Sequence, residues 1–263
     1  MFSLTFAVMK KGILFVALTL EAFSLAAQSS TPDLQPAGPL WGVVYQQRSG
    51  EYDALCHQAY NLARWRLDAL LAQQTPDAKP PAIVTDIDET LLDNSPYAVH
   101  QGLLGKTYSD STWIAWTARA ACDTVPGALD FLTYAASRGV TIIYITNRLQ
   151  VEQDATLANL QRWGFPQADT HHLVLRQPHA PSSKESRRQI VRADYNVLLY
   201  LGDNLTDFSP LFDQQPTPVR KDRVRENAAL FGSSFIVLPN AVYGDWAPGA
   251  AASKTMADSL KTY

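Results

Sequence analysis

Chemistry built on sulfur, on zinc or on a glycine-rich nucleotide loop has little to stand on in this sequence. Its 263 residues hold two cysteines, Cys56 and Cys122, and neither has an arginine six positions on or the spacing of a metal ligand. The five histidines, His57, His100, His171, His172 and His179, show no zinc-site spacing, and no Arg-His-Gly string and no P-loop pattern are present. Covalent catalysis on cysteine or histidine is therefore disfavoured. Basic residues are not in excess: the formal net charge is −3, which makes nucleic acid polymers and anionic membranes poor partners and a small molecule a better one. There is no low-complexity tract and no convincing internal repeat. With 46% hydrophobic and 18% charged residues the chain can bury a large core, and its length suits one domain with insertions.

The apolar stretch from Gly12 to Leu20 follows Lys10-Lys11 and precedes Ser24-Leu25-Ala26, small residues at the spacing a signal peptidase reads. It is too short to span a membrane, so residues 1–27 are expected to be a secretory signal. Met9, directly before the two lysines, is the expected initiator, with Met1 the alternative. Cleavage near Ala26 or Ala27 removes two lysines and one glutamate and leaves a formal charge of −4. Export makes a Cys56–Cys122 disulfide an option, and two buried thiols fit the sequence equally well.

Residues 28–40 include the proline-rich stretch Thr31 to Pro39 and read as a flexible tether. Glu51 to Gln73 then places Leu55, Tyr60, Leu62, Ala63, Leu67, Leu70 and Leu71 at helical intervals, which predicts a long amphipathic helix. From residue 83 onward strand and helix alternate. Strands are predicted at Ile83 to Thr85, Thr141 to Ile145, Leu173 to Leu175, Val197 to Leu201 and Phe235 to Leu238. Helices are predicted at Pro126 to Ser137, from about Val151 to Trp163, from Ser182, and from about Val224 to Phe231. This rhythm argues an α/β fold with a Rossmann-like parallel sheet and helices on both faces. Residues 92–122 lack it and read as a small helical cap inserted after the first strand, within a single domain spanning 41–263.

The apolar run Ile83-Val84-Thr85 ends in Asp86-Ile87-Asp88-Glu89-Thr90. Two carboxylates at the carboxyl end of a strand stand where open α/β sheets place ligands, and their repulsion calls for a cation or a shared proton. Such a pair suits metal-assisted chemistry on an anion such as a phosphate. A DxDxT string alone is weak, but three later segments complement it. Ile142 to Ile145 runs into Thr146-Asn147-Arg148, which offers a hydroxyl, an amide and fresh backbone N–H groups. Ser182-Ser183-Lys184-Glu185 has the form of a capping box with Ser182 as N-cap, placing Lys184 in a first helical turn where an anion is favoured. Val197 to Leu201 runs into Gly202-Asp203-Asn204-Leu205-Thr206-Asp207, which delivers two more carboxylates. Each element alone has a plain reading as turn chemistry or surface charge; their combination in one α/β pattern does not.

In these motifs the chain resembles the haloacid dehalogenase superfamily of phosphatases, and more narrowly the class C acid phosphatases of the bacterial lipoprotein e family of 5′-nucleotidases. The narrower resemblance rests on Gln58 to Ala63, Asp88-Glu89-Thr90 with Asp93 to Tyr97, Val125 to Ala128, Thr146-Asn147-Arg148, Gly202-Asp203-Asn204 with Asp207-Phe208, and Leu238 to Ala241 with Tyr243-Gly244. It covers roughly residues 41 to 248. The resemblance implies Asp86 as nucleophile forming an aspartyl-phosphate, and Asp88 as general acid and base. It also implies a Mg²⁺ ion held by the Asp86 side chain, the Asp88 backbone carbonyl and Asp203, with Asp207 holding the metal's water. Thr146, Asn147 and Lys184 would bind the phosphoryl group, and Trp113 and Tyr243 would stack on a nucleobase. The plain reading of Trp113, as of Trp116, is a core aromatic of the cap.

The expected function is thus Mg²⁺-dependent hydrolysis of small phosphomonoesters, nucleoside 5′-monophosphates among them. The rivals are a phosphatase or phosphotransferase with no nucleotide preference, and a non-catalytic haem or nucleotide carrier on the same scaffold. One departure from the family bears on location: Leu25-Ala26-Ala27 is followed by Gln28, not by the cysteine that would carry a lipid. A soluble periplasmic or secreted protein without a lipid anchor is expected, with self-association left open.

Overall fold

A computed structural model describes residues 38–247; the expected signal and residues 28–37 of the expected tether lie outside the described residues. In chain order the elements are helices α1 (Gly38–Arg48) and α2 (Gly50–Leu71), strands β1 (Pro81–Thr85) and β2 (Leu92–Asp93), helices α3 (Ser95–Leu103) and α4 (Asp110–Thr117), and strand β3 (Asp123–Thr124). There follow α5 (Ala128–Ser137), β4 (Thr141–Leu149), α6 (Gln153–Trp163), β5 (Leu173–Arg176), α7 (Glu185–Asp194), β6 (Asn196–Gly202), α8 (Thr217–Glu226) and β7 (Phe235–Val237).

The main sheet is parallel, with strand order β5-β4-β1-β6-β7. The chain builds outward from β1 through β4 to β5, then crosses back to lay β6 and β7 on the other side of β1. The strand order therefore reverses at β1, the position where doubly wound sheets open a crevice at their carboxyl ends. Side chains alternate across the sheet: Ile83 and Ile142 face a core shared with α2, α5 and α6, while Val84, Ile143 and Ile145 face Val191 of α7. Both faces are thus covered, as the near-continuous apolar strands require.

Helix α2 begins where Ser49 caps it, its hydroxyl oxygen accepting from the Tyr52 N–H at 3.1 Å, with Glu51 and Asp53 suiting the positive end of the helix. Its buried stripe is Tyr52, Cys56, Tyr60, Ala63 and Leu67. Burying a side chain such as Leu67 stabilises by about 2 kcal/mol. Leu55, expected on this face, is exposed, because the stripe runs one residue later at the helix start. Both thiols are buried and unpaired. Burial pushes each up to about 12, which removes them as nucleophiles near neutral pH.

Three boundaries depart from the sequence expectation. Helix α1 takes in residues 38–40 of the expected tether and was not anticipated. Its Trp41 and Val44 are exposed, so no apolar stripe marks it. Helix α8 starts at Thr217, seven residues before the expected Val224, with Pro218 in its first turn. Helix α7 starts at Glu185 with Lys184 as its N-cap residue, not Ser182, and no side chain caps it. Glu185 does not reach back, because it is drawn forward to Arg188 and Arg192. The cap insertion is α3 and α4 closed by the antiparallel pair β2 and β3.

Candidate active site

Asp86 follows the last residue of β1, and its N–H donates to the Leu201 carbonyl of β6 at 2.9 Å. Thr146 lies near the end of β4 and Asp203 directly after β6, so the three motif segments meet at the carboxyl edge of adjacent strands. One oxygen each from Asp86, Asp203 and Asp207 lie within 4.8 Å of one another. Lys184 reaches into this cluster from the start of α7. Its Nζ donates to Asp86 Oδ1 and sits 2.6 Å from Asp207 Oδ1, with all three residues buried.

Burial raises the Asp86 carboxyl to about 7, opposed by Lys184 and aided by Asp207 and Asp88. Burial likewise pushes Asp203 well above the carboxylate range, with Asp207 and Asp86 adding to it. Burial disfavours the Lys184 charge, but Asp207 and Asp86 outweigh it and keep the ammonium protonated. Three carboxyl groups share one ammonium, so their joint ionisation is unfavourable and a hard cation would relieve it. An all-oxygen donor set of this kind fits Mg²⁺.

The two outer acids are held differently. Asp207 has partners on both oxygens, Lys184 on Oδ1 and the Asn204 N–H on Oδ2 at 2.9 Å. Its loop is tied to α7 by Arg188, which is fully buried and donates to the Thr206 and Asp207 carbonyls at 2.7 and 2.9 Å. A side chain on Gly202 would bring Cβ to 2.5 Å from Asp207 Cβ and Oδ2, so only glycine leaves room for that carboxylate. Asp203 accepts at Oδ2 from Asn240 Nδ2 at 2.7 Å, and Asn240 Oδ1 accepts from the Val242 and Tyr243 N–H groups.

Asp88 stands apart from this cluster. The Arg148 guanidinium, fully buried, grips its Oδ1 at 2.7 and 3.1 Å and its Oδ2 at 3.2 Å. Asn94 Nδ2 donates to Oδ1 at 2.9 Å, and the Thr146 hydroxyl lies 3.4 Å from Oδ2. Glu89, next in the chain, is buried in a left-handed conformation with φ of 56°, and the Asn94 N–H lies 3.2 Å from both its oxygens. Burial, with Asp93 and Asp88 nearby, pushes its carboxyl well above the usual carboxylate range.

Thr146 is buried; its hydroxyl oxygen accepts from the Arg148 N–H at 3.0 Å. Asn147 is exposed, with its Oδ1 held by Arg187 Nη2 at 2.6 Å, which leaves the amide N–H₂ free to donate. Arg187 also donates to the Thr146 carbonyl at 2.6 Å, and burial pulls its guanidinium down to about 10. Trp113 is 9% exposed inside the cap, edge-on to Tyr97 at 5.1 Å and tilted against Tyr108 at 5.9 Å. Tyr243 is 38% exposed, yet burial of its hydroxyl beside Glu89, Asp88, Asp203 and Asp86 holds that group far above its ordinary range. Trp113 and Tyr243 are therefore unequal: one is packed within the cap, the other looks onto the acids. Two surface grooves of about 630 and 360 Å³ run along α2 and include none of these residues.

Sequence reasoning assigned no role to Arg148, Asn94, Arg187, Arg188 or Asn240. Each sits in or beside a motif string, but its partner comes from a different segment, so spacing alone carries no signal for it.

A parallel sheet with an acid cluster and buried lysine at its switch point defines a haloacid dehalogenase-type α/β protein. More narrowly, the chain belongs to the HAD superfamily, subfamily IIIB (acid phosphatase), which matches residues 27–246. Two solved structures of the class C acid phosphatase from Bacillus anthracis are similar to it at 39% identity, covering 87% of this chain and 98% of that one. Their TM-scores are 0.82 with tungstate bound and 0.81 without. Plant relatives are more distant. A stem 31 kDa glycoprotein of Glycine max is 27% identical over 159 residues, 58% of this chain and 53% of its own length. Acid phosphatase 1 of Solanum lycopersicum is 25% identical over 130 residues, 47% and 50% of the two lengths. The chain spans about half the length of the curated relatives it matches.

Proposed function

We propose that this chain is an exported, Mg²⁺-dependent acid phosphatase that hydrolyses small phosphomonoesters, nucleoside 5′-monophosphates among them, through an aspartyl-phosphate on Asp86. The observation that carries the reading is the cluster of Asp86, Asp203 and Asp207 around the buried ammonium of Lys184, in a chain of the acid phosphatase family. Tungstate, a tetrahedral oxyanion, is bound by the similar Bacillus anthracis enzyme, which supports an oxyanion site here.

The Asp86 and Asp203 carboxylates and the Asp88 backbone carbonyl would hold the metal, and Asp207, with both oxygens already engaged, would hold its water. Bound Mg²⁺ supplies neutralisation of phosphate charge. The chain's own residues do the rest. Lys184 orients Asp86 and favours its ionised form, which a bound cation would favour further, and an Asp86 oxygen attacks phosphorus as the bond to the leaving oxygen breaks. Thr146 and the Asn147 amide hydrogen-bond the phosphoryl oxygens. Asp88 gives its proton to the leaving alcohol, then takes one from the water that attacks the phosphorus of the acyl phosphate, restoring Asp86 and releasing phosphate.

Aromatic stacking by Tyr243 and Trp113 would accept any base. The burial of Trp113 beneath Tyr97 and Tyr108 favours a second reading, a phosphatase without nucleotide preference. A panel of nucleoside 5′- and 3′-monophosphates and sugar phosphates, with and without Mg²⁺, separates the two. The first reading expects 5′-nucleotides to lead and Trp113→Ala to slow them more than an aryl phosphate. Asp86→Asn is expected to lower phosphate release by about a thousandfold or more, and unchanged release would end the aspartyl-phosphate proposal. Location in the periplasm or medium without a lipid anchor rests on Gln28 after Leu25-Ala26-Ala27. Among the described residues no helix is long and apolar enough to cross a membrane.

A further inference from the structure

The contacts around Asp88 are lopsided. Its Oδ1 takes Arg148 Nη2 at 2.7 Å, Arg148 Nε at 3.1 Å and Asn94 Nδ2 at 2.9 Å, which saturates that oxygen. Its Oδ2 has only the longer contacts, to Arg148 Nε at 3.2 Å and to the Thr146 hydroxyl at 3.4 Å. Both donors are themselves held. Arg148 Nη1 donates to the Thr156 hydroxyl of α6 at 3.1 Å. Asn94 Oδ1 accepts from Trp116 Nε1 of α4 at 2.9 Å and from the Cys122 thiol at 3.2 Å, which fixes its amide with the N–H₂ toward Asp88.

We infer that Arg148 and the Trp116–Asn94 pair form a two-sided holder that occupies Asp88 Oδ1 and orients the carboxyl so that its less engaged Oδ2 faces the leaving oxygen. This rests on the proposed role of Asp88 and assigns positioning residues to that site. The holder acts on one proton, from Asp88 Oδ2 to the leaving oxygen as the phosphorus–oxygen bond breaks. The cap therefore reaches the chemistry through an indole N–H, not only through the substrate.

A leaving group's demand for that proton gives a readout that general damage to the site would not move. An alkyl ester such as a nucleoside 5′-monophosphate needs its leaving oxygen protonated, whereas the phenolate of p-nitrophenyl phosphate leaves without it. The quantity to compare is kcat/KM, which covers steps only through departure of the leaving group and so excludes later hydrolysis of the acyl phosphate. Arg148→Lys is expected to lower kcat/KM for the nucleotide about tenfold more than for p-nitrophenyl phosphate, within the range of a lost acid. Trp116→Phe, which keeps a ring and loses the N–H, is expected to show the same bias at about threefold. Equal losses on both esters in folded Trp116→Phe, or no loss, would overturn the holder, and this variant decides should Arg148→Lys not fold. Asp88→Asn is the control: if it shows no bias toward the alkyl ester, the proposed acid role of Asp88 fails instead.

Discussion

Lys184 is the one ammonium among three carboxylates, and it is almost out of reach of water. Removing one partner of a buried pair leaves uncompensated charge, so Lys184→Met is expected to cost about 3 kcal/mol of stability in the absence of metal. It is also expected to lower phosphate release by about a thousandfold. Urea unfolding in EDTA measures the first effect and single-substrate kinetics the second; a variant as stable as the parent would contradict the charge balance described here. At this scale the clustered residue types were legible in the sequence, because Asp86, Asp203 and Asp207 follow strand ends that apolar patterning marks and Lys184 stands at a helix start. Their holders were not. Arg148 reads as a loop cation until the fold brings β4 beside the Asp88 turn. Asn94 reads as a turn residue until α4 lays Trp116 over it.

At the scale of elements, the β6 end shows how little slack the site has. Gly202→Ala would place a methyl 2.5 Å from the Asp207 carboxylate, so that carboxylate or the backbone has to move. Activity is expected to drop about a hundredfold with Mg²⁺ affinity weakened, while the overall fold, read by circular dichroism, persists. Retained Mg²⁺ affinity would show that the Asp207 position is not set by this close contact. Strands and the helices α5 and α6 were legible because each carries an apolar period and a turn glycine, Gly139 or Gly164, at its end. Helix α8 was read too late and past its end at Glu226, because its first half is polar, and α1 was missed because its exposed Trp41 and Val44 break any stripe. The start of α7 was misjudged because Glu185 satisfies Arg188 and Arg192 before it can satisfy a backbone N–H.

At the scale of the whole molecule, the raised carboxyls of Asp86, Asp203 and Glu89 act together on stability. A carboxyl bound more tightly to its proton when folded contributes stability that is fully present below the unfolded value of about 4. That contribution is lost as pH rises through the folded value, about 7 for Asp86. The melting temperature in EDTA is therefore expected to fall between about pH 4 and pH 7. Mg²⁺ at a fixed concentration about a hundredfold above its Kd at pH 7 is expected to restore about 2.7 kcal/mol there and less at lower pH, where protons compete. A flat or rising profile in EDTA would count against the unfavourable joint ionisation at the site. The close approach of α1 to the loop after β7 has a consequence of another kind. At Gly42 an added Cβ would lie 2.1 Å from the Ala241 carbonyl, so residues about 200 apart in sequence touch beside Asn240, the partner of Asp203. Bringing the two together closes a loop of about 200 residues, so a change in α1 is felt at the segment whose Asn240 holds Asp203.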